Sequence, residues 1–171
     1  MKTILQITAC LFLLSCSTKK ASTEIPAVAL TSECPKNAEC SLKIFPYKSL
    51  VVKNDNFGRP YYEMSDDPEK NVIQYTYSRI VKGDIQDGGY REEIVLEVNQ
   101  TEKLQSLSDA TLQNTKMLYG RFCFCKGQTG YYKVEKGSLA VTSNAKQKNV
   151  ALDFTVGDVP QITRNFTFDM K

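Results

Sequence analysis

From about Leu42 onward, short runs of alternating apolar and polar residues are separated by clusters of Gly, Asn, Asp and Pro, the punctuation of an all-β domain. The clearest run is Val150-Ala151-Leu152-Asp153-Phe154-Thr155-Val156. Val150, Leu152, Phe154 and Val156 fall on one face and Ala151, Asp153 and Thr155 on the other, as a half-buried strand requires. Residues 162–170 repeat the pattern with Ile162, Phe166, Phe168 and Met170 together; Arg164 interrupts it and is expected near an edge. Further strands are expected over 72–82, 90–99, 117–125, 131–135 and 138–143, with weaker signals at 44–53 and 59–64. Only 102–113, carrying Leu104, Leu107 and Leu112, offers a passable short helix. Gly83-Asp84-Ile85-Gln86-Asp87-Gly88-Gly89 lies between two strong strands and reads as a hairpin loop, whose glycines supply positive φ. Strands joined this way are antiparallel. The pattern therefore predicts a single antiparallel β-sandwich or small β-barrel with at most one short helix, and does not separate the two.

The first residues follow a different pattern. Met1-Lys2 is a short basic start, residues 4–14 are largely apolar, and Leu13-Leu14-Ser15-Cys16 ends the run. This is the shape of a secretory signal peptide, and the run is too short to span a bilayer. The tetrad resembles the lipobox of bacterial lipoproteins. The resemblance covers the export segment alone and implies that residues 1–15 are removed and that Cys16 becomes an acylated N-terminus, carrying palmitate or similar chains. Each buried methylene contributes about 0.8 kcal/mol, and stable anchoring takes more than one chain. Ser17 stands where aspartate would suggest retention in the inner membrane, so the resemblance implies an outer-membrane address. Ordinary secretion, with Cys16 an incidental thiol, is the plainer alternative.

Residues 16–33 mix small and polar side chains with one proline and show no sustained period. They read as a flexible, lipid-anchored tether spanning roughly 20–25 Å, ahead of a single β domain over 34–171. The length suits one core. The formal charge is +3, of which Lys2 supplies one unit, and charges of both signs are interspersed, which argues against a nucleic-acid partner. Lys19 and Lys20 follow the anchor, where they either touch anionic headgroups or merely keep the tether soluble. There is no histidine, which excludes Ser-His-Asp and Cys-His catalysis and every histidine-ligated metal site. An enzyme would have to use carboxylates, lysine, tyrosine or cysteine.

Cys34, Cys40, Cys123 and Cys125 remain after Cys16, and an even set in an exported domain first suggests disulfides. In an extended strand Cys123 and Cys125 would have Cα atoms about 6.6 Å apart, so joining them requires a bent strand. If Phe122 and Phe124 face the core, Cys123 and Cys125 share the outer face with Tyr119 and Arg121, and the segment 34–40 is stapled across it. Two cross-bridges from Cys34 and Cys40 to Cys123 and Cys125 are therefore the first expectation. Local pairing of Cys34 with Cys40 is the alternative. A redox pair lacks Cys-x-x-Cys spacing and a zinc site lacks knuckle spacing.

Tyr61, Tyr75, Tyr77 and Tyr90 gather around the proposed hairpin, and Tyr75, Tyr77 and Arg79 fall on one face of a strand. Exposed, that face has the composition of a patch for a peptide, glycan or envelope protein; buried, it is ordinary cross-strand packing. Asp84, Asp87, Glu92 and Glu93 form the one carboxylate cluster in sequence, without EF-hand spacing. Asn99-Gln100-Thr101 and Asn165-Phe166-Thr167 match the glycosylation pattern by coincidence in a bacterial context. No cofactor or metal is expected. The sequence points to a lipid-anchored envelope protein that works by binding or support and not as an enzyme. The alternatives are a carboxylate enzyme built on Asp84 or Glu92 and a thiol-based redox or metal-handling lipoprotein.

Overall fold

A computed structural model of the chain describes residues 28–170 apart from 84, 102, 103 and 145. The expected signal segment, Cys16, Lys19, Lys20, the first part of the tether, Asp84 and Glu102 lie outside the described residues. The strands form two five-stranded sheets. One contains β1 (Val28–Leu30), β5 (Leu104–Ser108), β8 (Gly137–Ser143), β9 (Lys148–Phe154) and β10 (Asn165–Met170), in the order β1-β10-β9-β8-β5. The other contains β2 (Ala38–Asn54), β3 (Pro60–Arg79), β4 (Tyr90–Asn99), β6 (Leu118–Cys123) and β7 (Gly130–Lys133), in the order β2-β3-β4-β6-β7. Every adjacent pair is antiparallel. The domain is a β-sandwich.

The core between the sheets is built by the alternation that marks the strands. Val150, Leu152 and Phe154 of β9, Val156 just beyond it, and Phe166, Phe168 and Met170 of β10 point inward. They meet Ile73, Tyr75, Ile94, Leu96 and Tyr119 of the other sheet. The Tyr75 ring stacks on Phe166 with centroids 4.5 Å apart. Each such side chain contributes roughly 1.5–3 kcal/mol when taken out of water, so this layer is the main source of stability.

The β2–β3 hairpin is long enough to serve two layers. Its ladder slips between Pro46 and Lys48, where Tyr47 has φ 58°. Pro46 on one strand and Pro68 on the other have no N–H to continue a ladder. Beyond this bend the hairpin, from the Lys48–Asp66 pair to its tip, doubles back over the outward face of β4 and β6 as a flap. Leu50, Val72, Val95 and Leu118 form a second apolar cluster there, flanked by Val52, Tyr62 and Met64. A Cβ on Gly120 would lie 2.7 Å from the rings of Phe122 and Tyr131, so glycine is what lets those rings close over β6. β4 is consequently buried on both faces.

Three expectations change. Residues 28–30, assigned to the tether, are a strand: Val28, Ala29 and Leu30 pair with Met170, Asp169 and Phe168, and Val28 and Leu30 pack against the core. Within the predicted helix over 102–113, Leu104–Ser108 is a strand paired along β8, followed by a 3-10 helix over Asp109–Thr115. Sheet pairing there outweighs a weak local helical pattern, and only Leu112 reaches the core from the helix. Arg164 precedes β10, which is flanked on both sides and is not an edge strand.

Candidate functional site

The expected tyrosine patch faces inward. Tyr75 and Tyr77 share their face with Ile73, which belongs to the core, and Tyr77 is 4% exposed. The Tyr77 and Tyr90 rings meet edge to face, 6.2 Å between centroids, and the Tyr75 hydroxyl donates to Cys40 Sγ at 3.1 Å. Burial raises the Tyr75 phenol above its ordinary range. It does the same for Tyr90, with a further contribution from Glu92. Tyr61, 37% exposed on the flap, is apart from them. The four tyrosines are therefore no common exposed surface, because a strand between two sheets turns its aromatic face to the other sheet.

Arg79 is different. It ends the inward face where the core meets solvent, with its guanidinium carbon 4.9 Å from the Tyr90 ring centroid. It opens onto a cleft of about 630 Å³ between the turn before β2 and the β3–β4 loop. Lys36, Arg79 and Lys82 bring positive charge to the cleft, and Ile80, Val81 and Ile85 give it an apolar wall. The Ile80 N–H donates to the Asn37 carbonyl at 2.9 Å, fixing one side of the cleft to the other. Of the expected patch, Tyr77 and Arg79 line this cleft; Lys36, Lys82 and Ile85 were not singled out from the sequence.

The β6–β7 loop lies at the same end of the sheet, since Tyr90 at the start of β4 pairs with Cys123 at the end of β6. The flap tip reaches it: Arg59 Nη1 donates to the Thr129 carbonyl at 2.8 Å. Asp55 Oδ1 accepts from the Phe57 and Arg59 N–H groups, which shapes the tip and leaves Phe57 89% exposed. Phe124 is 83% exposed. A phenylalanine inside the turn signal Asp55-Asn56-Phe57-Gly58 was the clue available in the sequence.

The cysteines are bridged locally, Cys34 to Cys40 and Cys123 to Cys125, with Cα–Cα distances of 5.7 and 5.2 Å. The expected cross-bridges do not form, because β3 and β4 separate β2 from β6. Three strand spacings amount to about 14 Å, twice what a disulfide spans. The facing of β6 is also the reverse of that expected. Tyr119 and Cys123 point to the core, while Phe122 lies outward with the Arg91 guanidinium 4.0 Å from its ring centroid. β6 ends at Cys123, and the turn beyond it permits the bridge to Cys125. All four cysteines are consumed, so the thiol-based alternative has no free thiol among them.

The carboxylates of the sequence cluster are dispersed. Glu92 faces the core and Glu93 the flap. Glu92, 0% exposed, accepts at Oε1 from the Tyr90 hydroxyl (2.6 Å), the Tyr119 hydroxyl (2.8 Å) and the Ile162 N–H (2.6 Å), and at Oε2 from the Thr163 N–H (2.7 Å). It thus ties the segment leading into β10 to the opposite sheet. Glu93 Oε1 accepts from the Tyr62 and Tyr131 hydroxyls. Burial first and Glu93 second push Tyr62 up to about 12. They also push Tyr131 well above its ordinary range. Glu97 Oε2 accepts from the Leu50 N–H, Ser49 Oγ and Lys116 Nζ. Each of these acids is engaged by several structural hydrogen bonds. Among the described residues no three His, Cys, Asp or Glu side chains could hold a metal ion, and nothing points to enzymatic activity. No family model, curated protein or solved structure matches the chain.

Proposed function

We propose that the chain is a lipid-anchored bacterial envelope protein, held to the membrane through acylated Cys16 after removal of residues 1–15, whose β-sandwich is a binding module. The observation that supports this most is the polarity of the domain. The described chain enters at Val28, beside Met170 at the far end of β10 and near the β8–β9 turn. Phe57, Phe124 and the cleft at Arg79 lie at the opposite end, where β4 begins and β6 ends. A tether of the eleven residues between Cys16 and Val28 would span roughly 17–21 Å as a coil, so an anchored domain would carry those loops outward from the membrane. Exposed aromatic side chains on rigid loops have the composition of an interface anchor.

Two measurements test the proposal. Fatty-acid labelling and membrane fractionation of wild type and Cys16→Ala should show label and membrane association lost in the variant; equal label in both overturns the anchor. A photo-crosslinking residue at position 57 should capture an envelope protein, peptide or glycan that the same group at position 147, at the other end, does not. Capture from 147 alone, or equally from both, overturns the binding end.

A further inference from the structure

We propose that the cleft between the turn before β2 and the β3–β4 loop is a site for a carboxylate bearing a short apolar arm, the chemistry of a peptide C-terminus. This deepens the reading of that end as a binding surface, yet it requires neither the anchor nor a protein partner. Three cations, Lys36, Arg79 and Lys82, line the cleft, and no described carboxylate does. None of the three forms an ion pair with a described residue; Asp87 shares the loop without lining the cleft. Like charges around one concavity raise its potential and favour an anion. The Arg79 guanidinium is positioned by the Tyr90 ring and makes no hydrogen bond to a described residue. A cation–π contact orients the group and leaves its fork of N–H donors for a carboxylate.

The apolar half of the ligand follows from the aliphatic side chains in the same lining. Ile80 and Ile85 are 45% and 61% exposed although they stand beside the cations, and Val81 joins them. An arm of leucine size covers this wall while its carboxylate meets Arg79. The loop is shaped for the purpose at Gly88, where a Cβ would come within 2.8 Å of Val81 Cγ1 and 3.1 Å of Ile85 Cγ2. A side chain there would displace the wall. The cleft is open to solvent, so a chain preceding the carboxylate can leave it.

The test uses the full chain in an uncharged detergent, following the Gly83 and Gly88 amide resonances during titration with N-acetyl-leucine, its uncharged amide, isocaproate and inorganic phosphate. Saturable shifts with N-acetyl-leucine are expected, with affinity about tenfold weaker for the amide and for phosphate, and reduced about tenfold by Arg79→Gln. Gly88→Ala should weaken N-acetyl-leucine and leave phosphate unchanged. Tighter binding of N-acetyl-leucine than of isocaproate assigns the carboxylate to a peptide end, and the reverse to a free short-chain acid. Equal binding of the amide, equal binding of phosphate, or shifts indifferent to Arg79→Gln overturns the proposal. Failure here leaves the labelling and crosslinking results of the proposed function standing, and failure there leaves this titration interpretable.

Discussion

Replacing Glu92 by glutamine changes one atom of the side chain and tests how the two sheets are held together. The carboxylate receives four hydrogen bonds, three at Oε1 and one at Oε2. A glutamine oxygen in the Oε1 position keeps the first three, but as bonds to a neutral acceptor, each weaker by about 1 kcal/mol. Its amide then faces the Thr163 N–H, donor against donor, and leaves that buried group without an acceptor at a cost of about 1–3 kcal/mol. Relief from burying a carboxylate offsets part of this. The net destabilisation is about 3 kcal/mol, a large fraction of the stability of an ordinary domain. It corresponds to a Tm lowered by roughly 10 °C. Tyr119→Phe removes one donor and leaves three on the carboxylate, so it should cost about 1 kcal/mol. Thermal unfolding of the three proteins by circular dichroism is the assay. A glutamine variant as stable as wild type, or one less damaged than Tyr119→Phe, would refute the idea that this carboxylate joins the sheets.

Alkaline pH should unfold the domain. Tyr62, Tyr75, Tyr90, Tyr119 and Tyr131 keep their protons to higher pH when folded than the ordinary value of 10.0, chiefly because burial disfavours the phenolate. Their contribution is fully present below pH 10 and declines above it by about 1.4 kcal/mol per pH unit for each tyrosine, until its folded value is passed. For Tyr62 that is about 12. Denaturant midpoints that stay constant from pH 9 to about pH 12 would contradict this. Glu97→Gln should loosen the flap by roughly 2 kcal/mol, speeding amide exchange at Leu50 and Val51 while Ile94 and Leu96 remain protected; a uniform change across both would show that the flap does not open separately.

Legibility in the sequence tracked how many faces of a strand are covered. β9 and β10 have one buried face, and their alternation gave the inward residues correctly for Val150, Leu152, Phe154, Phe166 and Phe168. β4 was found at its full extent, 90–99, because it is apolar enough to read as a strand whatever its neighbours. The roles of Glu92, Glu93 and Glu97 were hidden there, since acids on a strand buried on both faces look like solvated residues until their donors arrive from distant segments. β6 was inverted for a related reason: Phe122 is covered by Arg91 and Tyr131 on the outward side, and an aromatic residue does not announce which cover it uses. The local disulfides depended on strand order, which no local pattern carries. The cleft was half visible through Arg79; Lys36 and Lys82 come to it only because the hairpin loop and the turn before β2 meet at one end of the sheet.

The way the chain enters the sandwich also sets its mechanics. β1 runs from Val28 alongside β10 for three residues, and soon afterwards the Cys34–Cys40 bridge transfers the chain to β2 in the other sheet. Tension applied ahead of Val28, against a ligand held at the far end, runs along the strand direction and loads the β1–β10 bonds in shear, all together, where a perpendicular pull would open them one at a time. If β1 does slide free, the covalent bridge passes the load across to β2 at Cys40, whose ladder partner is Tyr77, without unravelling residues 35–39. The disulfide acts as a stop, and the flap, the cleft and the exposed phenylalanines keep their shape while only the first few residues give way.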